Sequence, residues 1–115
     1  RHAPQEAAAV SLRRKASRKK KGGSSQELKT QLLFDEWIEQ NMTSDRQIDG
    51  IAQCIEQHYA SVRGHLARGD TNTLYATKCF IDRHEIFVVT DRTSKRTIVG
   101  PPHVFHPTVR NSVLN

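Results

Sequence analysis

Seven of the nine residues from Arg13 to Lys21 are cationic: Arg13, Arg14, Lys15, Arg18, Lys19, Lys20 and Lys21. Cations at this density can neutralise several phosphates at once and release their condensed counterions. The result is a steeply salt-dependent affinity that does not read sequence. Such a run also fits a nuclear targeting signal or a patch for acidic lipids or heparin. A second group, Arg92, Lys95 and Arg96, falls between two expected strands, where a basic loop can follow a phosphate backbone. Like-charge blocks usually serve as interaction tails, so the expected ligand is a nucleic acid, RNA in preference to DNA.

The remaining chemistry is thinner. Ser17 stands fourth in Arg14-Lys15-Ala16-Ser17, a phosphorylation candidate of the basophilic-kinase pattern. A phosphate there would add about −2 charges and weaken polyanion binding. Cys54 and His58 are four residues apart, on one helical face, and Cys79 and His84 flank a strand end. Together they could supply four tetrahedral zinc ligands, but the spacing is that of no standard finger or knuckle. Cysteine is commonly a small buried hydrophobe, so no metal and no cofactor is expected. His103 and His106 form a weaker pair. There is no glycine-rich phosphate loop, nucleophile elbow or zinc-protease helix, and a Cys79–His84 dyad lacks an orienting third group, so the chain is not expected to be an enzyme. Asn41-Met42-Thr43 is a glycosylation sequon, relevant only to a secreted protein. Arg68-Gly69-Asp70 spells an integrin-type tripeptide that a helix end explains as well.

The charge is unevenly placed. The chain has 115 residues and a net +6. Residues 1–26 hold eight basic groups and one acid, +7, while residues 27–115 hold ten and eleven, −1. Within the latter, residues 27–66 sum to −4 and residues 67–115 to +3. Residues 1–23 have almost no large apolar side chains and read as a disordered cationic arm, with Gly22 to Ser25 as the joint. Two cysteines exclude a disulfide-dense scaffold and favour a reducing compartment, hence an intracellular setting: the nucleus or a ribonucleoprotein compartment, with the mitochondrial matrix or a virion as alternatives. Absence of an initial Met suggests a processed product or a segment. No apolar run of about 18 residues exists to span a membrane.

The elements that must position these groups follow from periodicity. A first helix is expected from Ser24 or Ser25, where Glu27 completes a capping box, to Asn41, with Leu28, Leu32, Leu33, Trp37 and Ile38 as its apolar stripe. A second starts at Ser44, with Gln47 as capping partner. It carries Ile48, Ile51, Ala52, Ile55, Tyr59, Val62 and Leu66 up to a stop at Gly69. Strands are expected over Thr73 to Ile81, Glu85 to Thr90 and Thr97 to Val99, ended by Gly100-Pro101-Pro102. Tyr75, Phe80 and Phe87 could stack bases if exposed, though packing in the core suits at least two of them.

The expected fold is α+β: a two-helix hairpin packed on a three-stranded antiparallel sheet, over residues 24–102. The disordered arm precedes it, and an extended segment, 103–115, follows. The expected function is that of a non-catalytic, RNA-binding structural component of a ribonucleoprotein or nucleocapsid. The rival is a scaffold module whose helical hairpin docks a protein partner, or a second copy, while the arm directs the chain to the nucleus.

Overall fold

The computed structural model describes residues 30–114. Its elements run β1 (Gln31–Phe34), α1 (Glu36–Asn41), α2 (Asp45–Ala67), β2 (Leu74–Ile81), β3 (His84–Asp91) and β4 (Arg96–Gly100), then two 3-10 turns, Pro102–Val104 and Pro107–Ser112. The long helix begins where its capping chemistry lies. The Ser44 hydroxyl accepts from the Gln47 amide, and the Gln47 side chain accepts from the Ser44 amide at 3.2 Å, so two orphan amides of the first turn are satisfied reciprocally. Ile51, Cys54, Ile55, His58, Tyr59 and Val62 form its buried face.

The sheet differs from expectation. Its four strands lie in the order β1-β4-β3-β2, with β1 parallel to β4 and the other pairs antiparallel. The helical hairpin on a three-stranded antiparallel sheet is therefore incorrect: the sheet is mixed, and there is one long helix. Gln31–Phe34, read as helix, is the extra strand. Leu32, Leu33 and Phe34 are an unbroken apolar run, and such a run carries no period to distinguish a strand from a buried helix. Pairing with Arg96–Val99 gives the β1 backbone its hydrogen bonds. Asp35 then ends the strand: its amide donates to Val99 O at 2.9 Å, and its Oδ1 accepts from the Trp37 amide at 2.7 Å, capping α1. The capping box at Ser24 and Glu27 and the cationic arm lie outside the described residues.

Both faces of the sheet are covered. On one, α2 and α1 pack Ile51, Ile55, Val62, Ile38 and Met42 against Leu32, Tyr75, Ile81, Ile86, Val88 and Val99. The other face buries Ala76, Phe87 and Val89 under Val109, Phe105 and Val113 of the C-terminal segment. The Leu114 amide donates to Ala76 O at 2.7 Å, so the segment grips the outer edge of β2. A row of polar side chains interrupts the helix-side core. His58, fully buried, bonds Thr77 Oγ1 through Nδ1 at 2.8 Å and Thr90 Oγ1 through Nε2 at 2.7 Å. Thr90 bonds Thr97 at 2.9 Å, and Thr97 bonds Thr30 at 2.8 Å. The row crosses the sheet from β2 to the entry of β1 and fixes where helix and strands meet.

The β2–β3 hairpin turns on two non-glycine residues in left-handed conformation, Asp82 (φ 52°) and Arg83 (φ 77°). Asp82 is held by Arg46, whose Nη2 donates to Oδ2 at 2.8 Å, and by Gln47 Nε2 at 3.1 Å. These bonds draw its carboxyl below the usual carboxylate range, the Arg46 hydrogen bond contributing most. Exposed Arg83 has no such compensation, and a left-handed residue with a Cβ costs about 1–2 kcal/mol. Arg83→Gly is expected to stabilise the fold by about 1 kcal/mol after allowing for the entropy of glycine. A chemical-denaturation midpoint that falls instead would refute this.

Candidate nucleic-acid interface

Four chain ends meet at one end of the sheet: the starts of β1, β4 and β2 and the finish of β3. The chain enters the described fold there. The Gln31 amide donates to Lys95 O at 3.1 Å, and Thr30 bonds Thr97, so the point at which residues 1–29 join the sheet lies beside Lys95 and Arg96. The β3–β4 turn is built by Asp91, whose Oδ1 accepts from the Thr93 amide at 2.9 Å and the Ser94 amide at 3.4 Å, and whose carbonyl accepts from the Lys95 amide at 2.8 Å. Lys95 closes the turn at φ 60°. Lys95 and Arg96 are exposed. Arg92 is half-buried and fixed: its amide donates to Thr73 O at 2.9 Å and its Nη1 to Asn72 O at 3.1 Å.

The end of α2 adds a cluster that spacing alone did not reveal. Gly69 (φ 84°) folds the chain back so that the Asp70 amide donates to His65 O at 3.0 Å and the Gly69 amide to Leu66 O at 3.0 Å, the two bonds of a Schellman cap. The cap puts the Asp70 carboxylate on the preceding turn, where Oδ2 lies 2.9 Å from His65 Nδ1. Asp70 Oδ1 accepts from the Asn72 amide at 3.0 Å. These bonds, that from Asn72 first, hold the Asp70 carboxyl below the usual range. Both acids at this end, Asp70 and Asp91, are thus occupied within the fold. Beneath lies Tyr75, fully buried, its ring 5.9 Å from that of His65. Its hydroxyl has no hydrogen-bond partner among the described residues. It stands close enough to Asp70 and Arg92 to interact with both side chains. Burial first, then Asp70, raises its pKa.

The other candidates separate. Arg13, Arg14, Lys15, Ser17, Arg18, Lys19, Lys20 and Lys21 lie outside the described residues. The hypothetical zinc quartet does not assemble: Cys54 and Cys79 form a disulfide, His58 is spent on two threonines, and exposed His84 packs edge-on against Trp37 at 5.3 Å. No group of three metal-ligating side chains occurs among the described residues. His106 caps the second 3-10 turn by accepting from the Thr108 amide at 3.2 Å, and His103 stands exposed. Tyr75 and Phe87 are core residues, whereas Phe80 is 64% exposed on β2, with Lys78 Nζ 5.9 Å from its ring centre.

The disulfide joins α2 to β2 across a sequence separation of 25 residues. Closing a loop of that length restricts the unfolded chain by about 3 kcal/mol, so reduction, or the Cys54→Ala/Cys79→Ala pair, is expected to lower stability by about that amount. Denaturation with and without a reductant measures it, and coincident curves would show that the bond contributes nothing.

No helix among the described residues is long and apolar enough to cross a membrane. Comparisons with protein-family models, with curated proteins and with solved structures each found no match. Charge and geometry therefore carry the functional reading.

Proposed function

We propose that the protein is a non-catalytic, RNA-binding structural component of a ribonucleoprotein or nucleocapsid. One observation supports this above others: the cationic segment, Arg13 to Lys21, joins the fold beside Lys95 and Arg96, through the hydrogen bond from the Gln31 amide to Lys95 O. Two cationic groups far apart in sequence then serve one end of the molecule. Lys21 is nine residues from Thr30, so the near end of the run lies within about 30 Å of the basic turn and its far end, Arg13, within about 60 Å. Arm and turn would track neighbouring phosphates of one strand, with little base reading. The rival scaffold role required a helical hairpin, which the fold lacks.

Replacing Lys95 and Arg96 by Gln in the full chain tests the contribution of the turn. The slope of log affinity against log salt is expected to become shallower by about 1 to 2, since each phosphate contact contributes about 0.7 to 0.9. Arg83→Gly, at the opposite end of the sheet, is the control and should leave the slope unchanged. Equal slopes for the double variant and the parent would remove the turn from the interface.

A further inference from the structure

We propose that Val10 to Leu12 of this chain's own N-terminal arm add a short strand to the open edge of β2, with the side chains of Val10 and Leu12 seated in the groove between β2 and α2. β2 is an outer strand of the sheet, paired only with β3. Successive residues of an antiparallel strand turn their backbone groups to alternate sides. Ala76 O accepts from the Leu114 amide on the side away from β3, so Lys78 and Phe80 also turn their backbone groups outward, and among the described residues no backbone bond meets them there. The groove beside this edge measures about 600 Å³ and is walled by Asp49, Gly50 and Gln53 of α2 and by Phe80 and Ile81 of β2. A Cβ on Gly50 would stand 2.9 Å from Ile81 Cδ1, so glycine is what lets the helix come this close to the strand. The chain already uses the same edge once. Val113 bridges Ala76 and packs on one face of the sheet, while Leu114 packs against the helix-side core.

Pattern, reach and charge select the occupant. Val10 and Leu12 are the large apolar side chains of residues 1–26, and a spacing of two puts both on one face of a strand. With Ser11 opposite Phe80, exchanging two backbone bonds with it, that face is the α2 side, and the chain leaves the edge after Leu12, short of Lys78. Leu12 is 18 residues from Thr30, a reach of up to about 60 Å, against a longest dimension of 45 Å for the fold. Run antiparallel to β2, the added strand leaves towards the end of the sheet at which Thr30 enters. Arg13, Arg14 and Lys15 follow Leu12 directly, while Asp49 and Glu56 lie exposed on α2, within a stretch, residues 27–66, that sums to −4. A separate partner is disfavoured by size. So short an open edge falls well below the roughly 1,000 Å² that a stable interface buries, and exposed Lys78 is the kind of charge that blunts an edge against indiscriminate pairing. A tethered segment escapes that requirement, because its effective concentration is about millimolar. Docking would hold the cationic run, Arg13 to Lys21, at both ends, between the groove and the basic turn.

The test is amide hydrogen exchange by NMR on the full chain and on its Val10→Ser/Leu12→Ser variant, which keeps every charge of the arm. In the parent the outward amide of Phe80 is expected to exchange about tenfold more slowly than in the variant, while the core amides of Ile86 and Val88 keep the same protection in both as a check on the fold. The slowing should also survive a tenfold dilution of the protein, as an intramolecular contact must. Equal Phe80 rates in parent and variant would overturn the proposal. A slowing that disappears on dilution would overturn it too, by placing a second copy at the edge in place of the chain's own arm. No RNA enters the measurement, so its failure would leave the polyanion-binding role of the arm standing.

Discussion

Between pH 7 and pH 4 the fold is expected to lose about 3 kcal/mol of stability through one residue, His58. Burial alone pushes its pKa from 6.5 down to about 3, because nothing nearby offsets a charge placed in the core. Neutral imidazole has one donor and one acceptor, and the hydroxyls of Thr77 and Thr90 can each play either part, so either tautomer is satisfied. Protonation leaves those bonds feasible and adds only the cost of the buried charge. Below about pH 6.5 the unfolded chain binds a proton that the folded chain refuses, so stability is complete above that value and falls as the pH drops towards 3. The loss amounts to about 2 kcal/mol at pH 5. Asp70 and Asp82, whose carboxyls are depressed in the fold, lose their contributions only as the pH falls below the ordinary carboxylate range, so the interval from pH 7 to 5 isolates the histidine. Urea denaturation of the parent and of His58→Gln, which keeps donor and acceptor without a titrating ring, measures the effect. The parent should steepen in its pH dependence relative to the variant, and parallel curves across that interval would be incompatible with a buried neutral His58.

What the sequence disclosed about the fold depended on whether the signal was local. The start and stop of α2 were legible because Ser44, Gln47 and Gly69 act within one turn of their own positions, and β2, β3 and β4 were legible from β-branched runs bounded by polar turns. β1 was not. Leu32 and Leu33 fit a helical stripe with Leu28 and Trp37, and what makes them a strand is a parallel pairing with residues more than sixty positions later, a non-local choice that periodicity cannot register. Asp35 was the available clue, since an Asp followed by Glu36 and Trp37 is a better helix start than a mid-helix position.

The site shows the same division. Arg92, Lys95 and Arg96 were recognisable as a basic turn, but their neighbourhood to the arm depends on β1 and could not be foreseen. Cys54 and His58 lie beside the principal stripe of α2 and read as metal candidates. They are instead buried because the helix lies flat on a sheet and covers a wider face than a helix partner would demand. Cys79 reaches Cys54 only through that packing. The two cysteines that suggested a reducing compartment are joined to each other, and so no longer supply that support. His65 and Asp70 could have been paired from sequence, since a glycine stop between them predicts a Schellman cap that returns the chain onto the preceding turn.

RNA affinity in the full chain is expected to fall about a thousandfold between 50 and 200 mM salt. That is the loss implied by a slope of about −4 to −6, from six to nine phosphates engaged by the arm and the basic turn on a single strand. Most of that slope should belong to Arg13, Arg14, Lys15, Arg18, Lys19, Lys20 and Lys21. Replacing these seven by Gln within the full chain preserves its length and the join at Thr30, and should leave a slope of about −1 to −2 from Lys95, Arg96 and their neighbours. The most direct measurement is therefore a salt titration of RNA binding by the parent and the seven-Gln variant side by side. A steep parent line and a shallow variant line are the predicted result; a parent affinity that barely responds to salt, or a variant line parallel to that of the parent, would contradict polyanion binding by this arm.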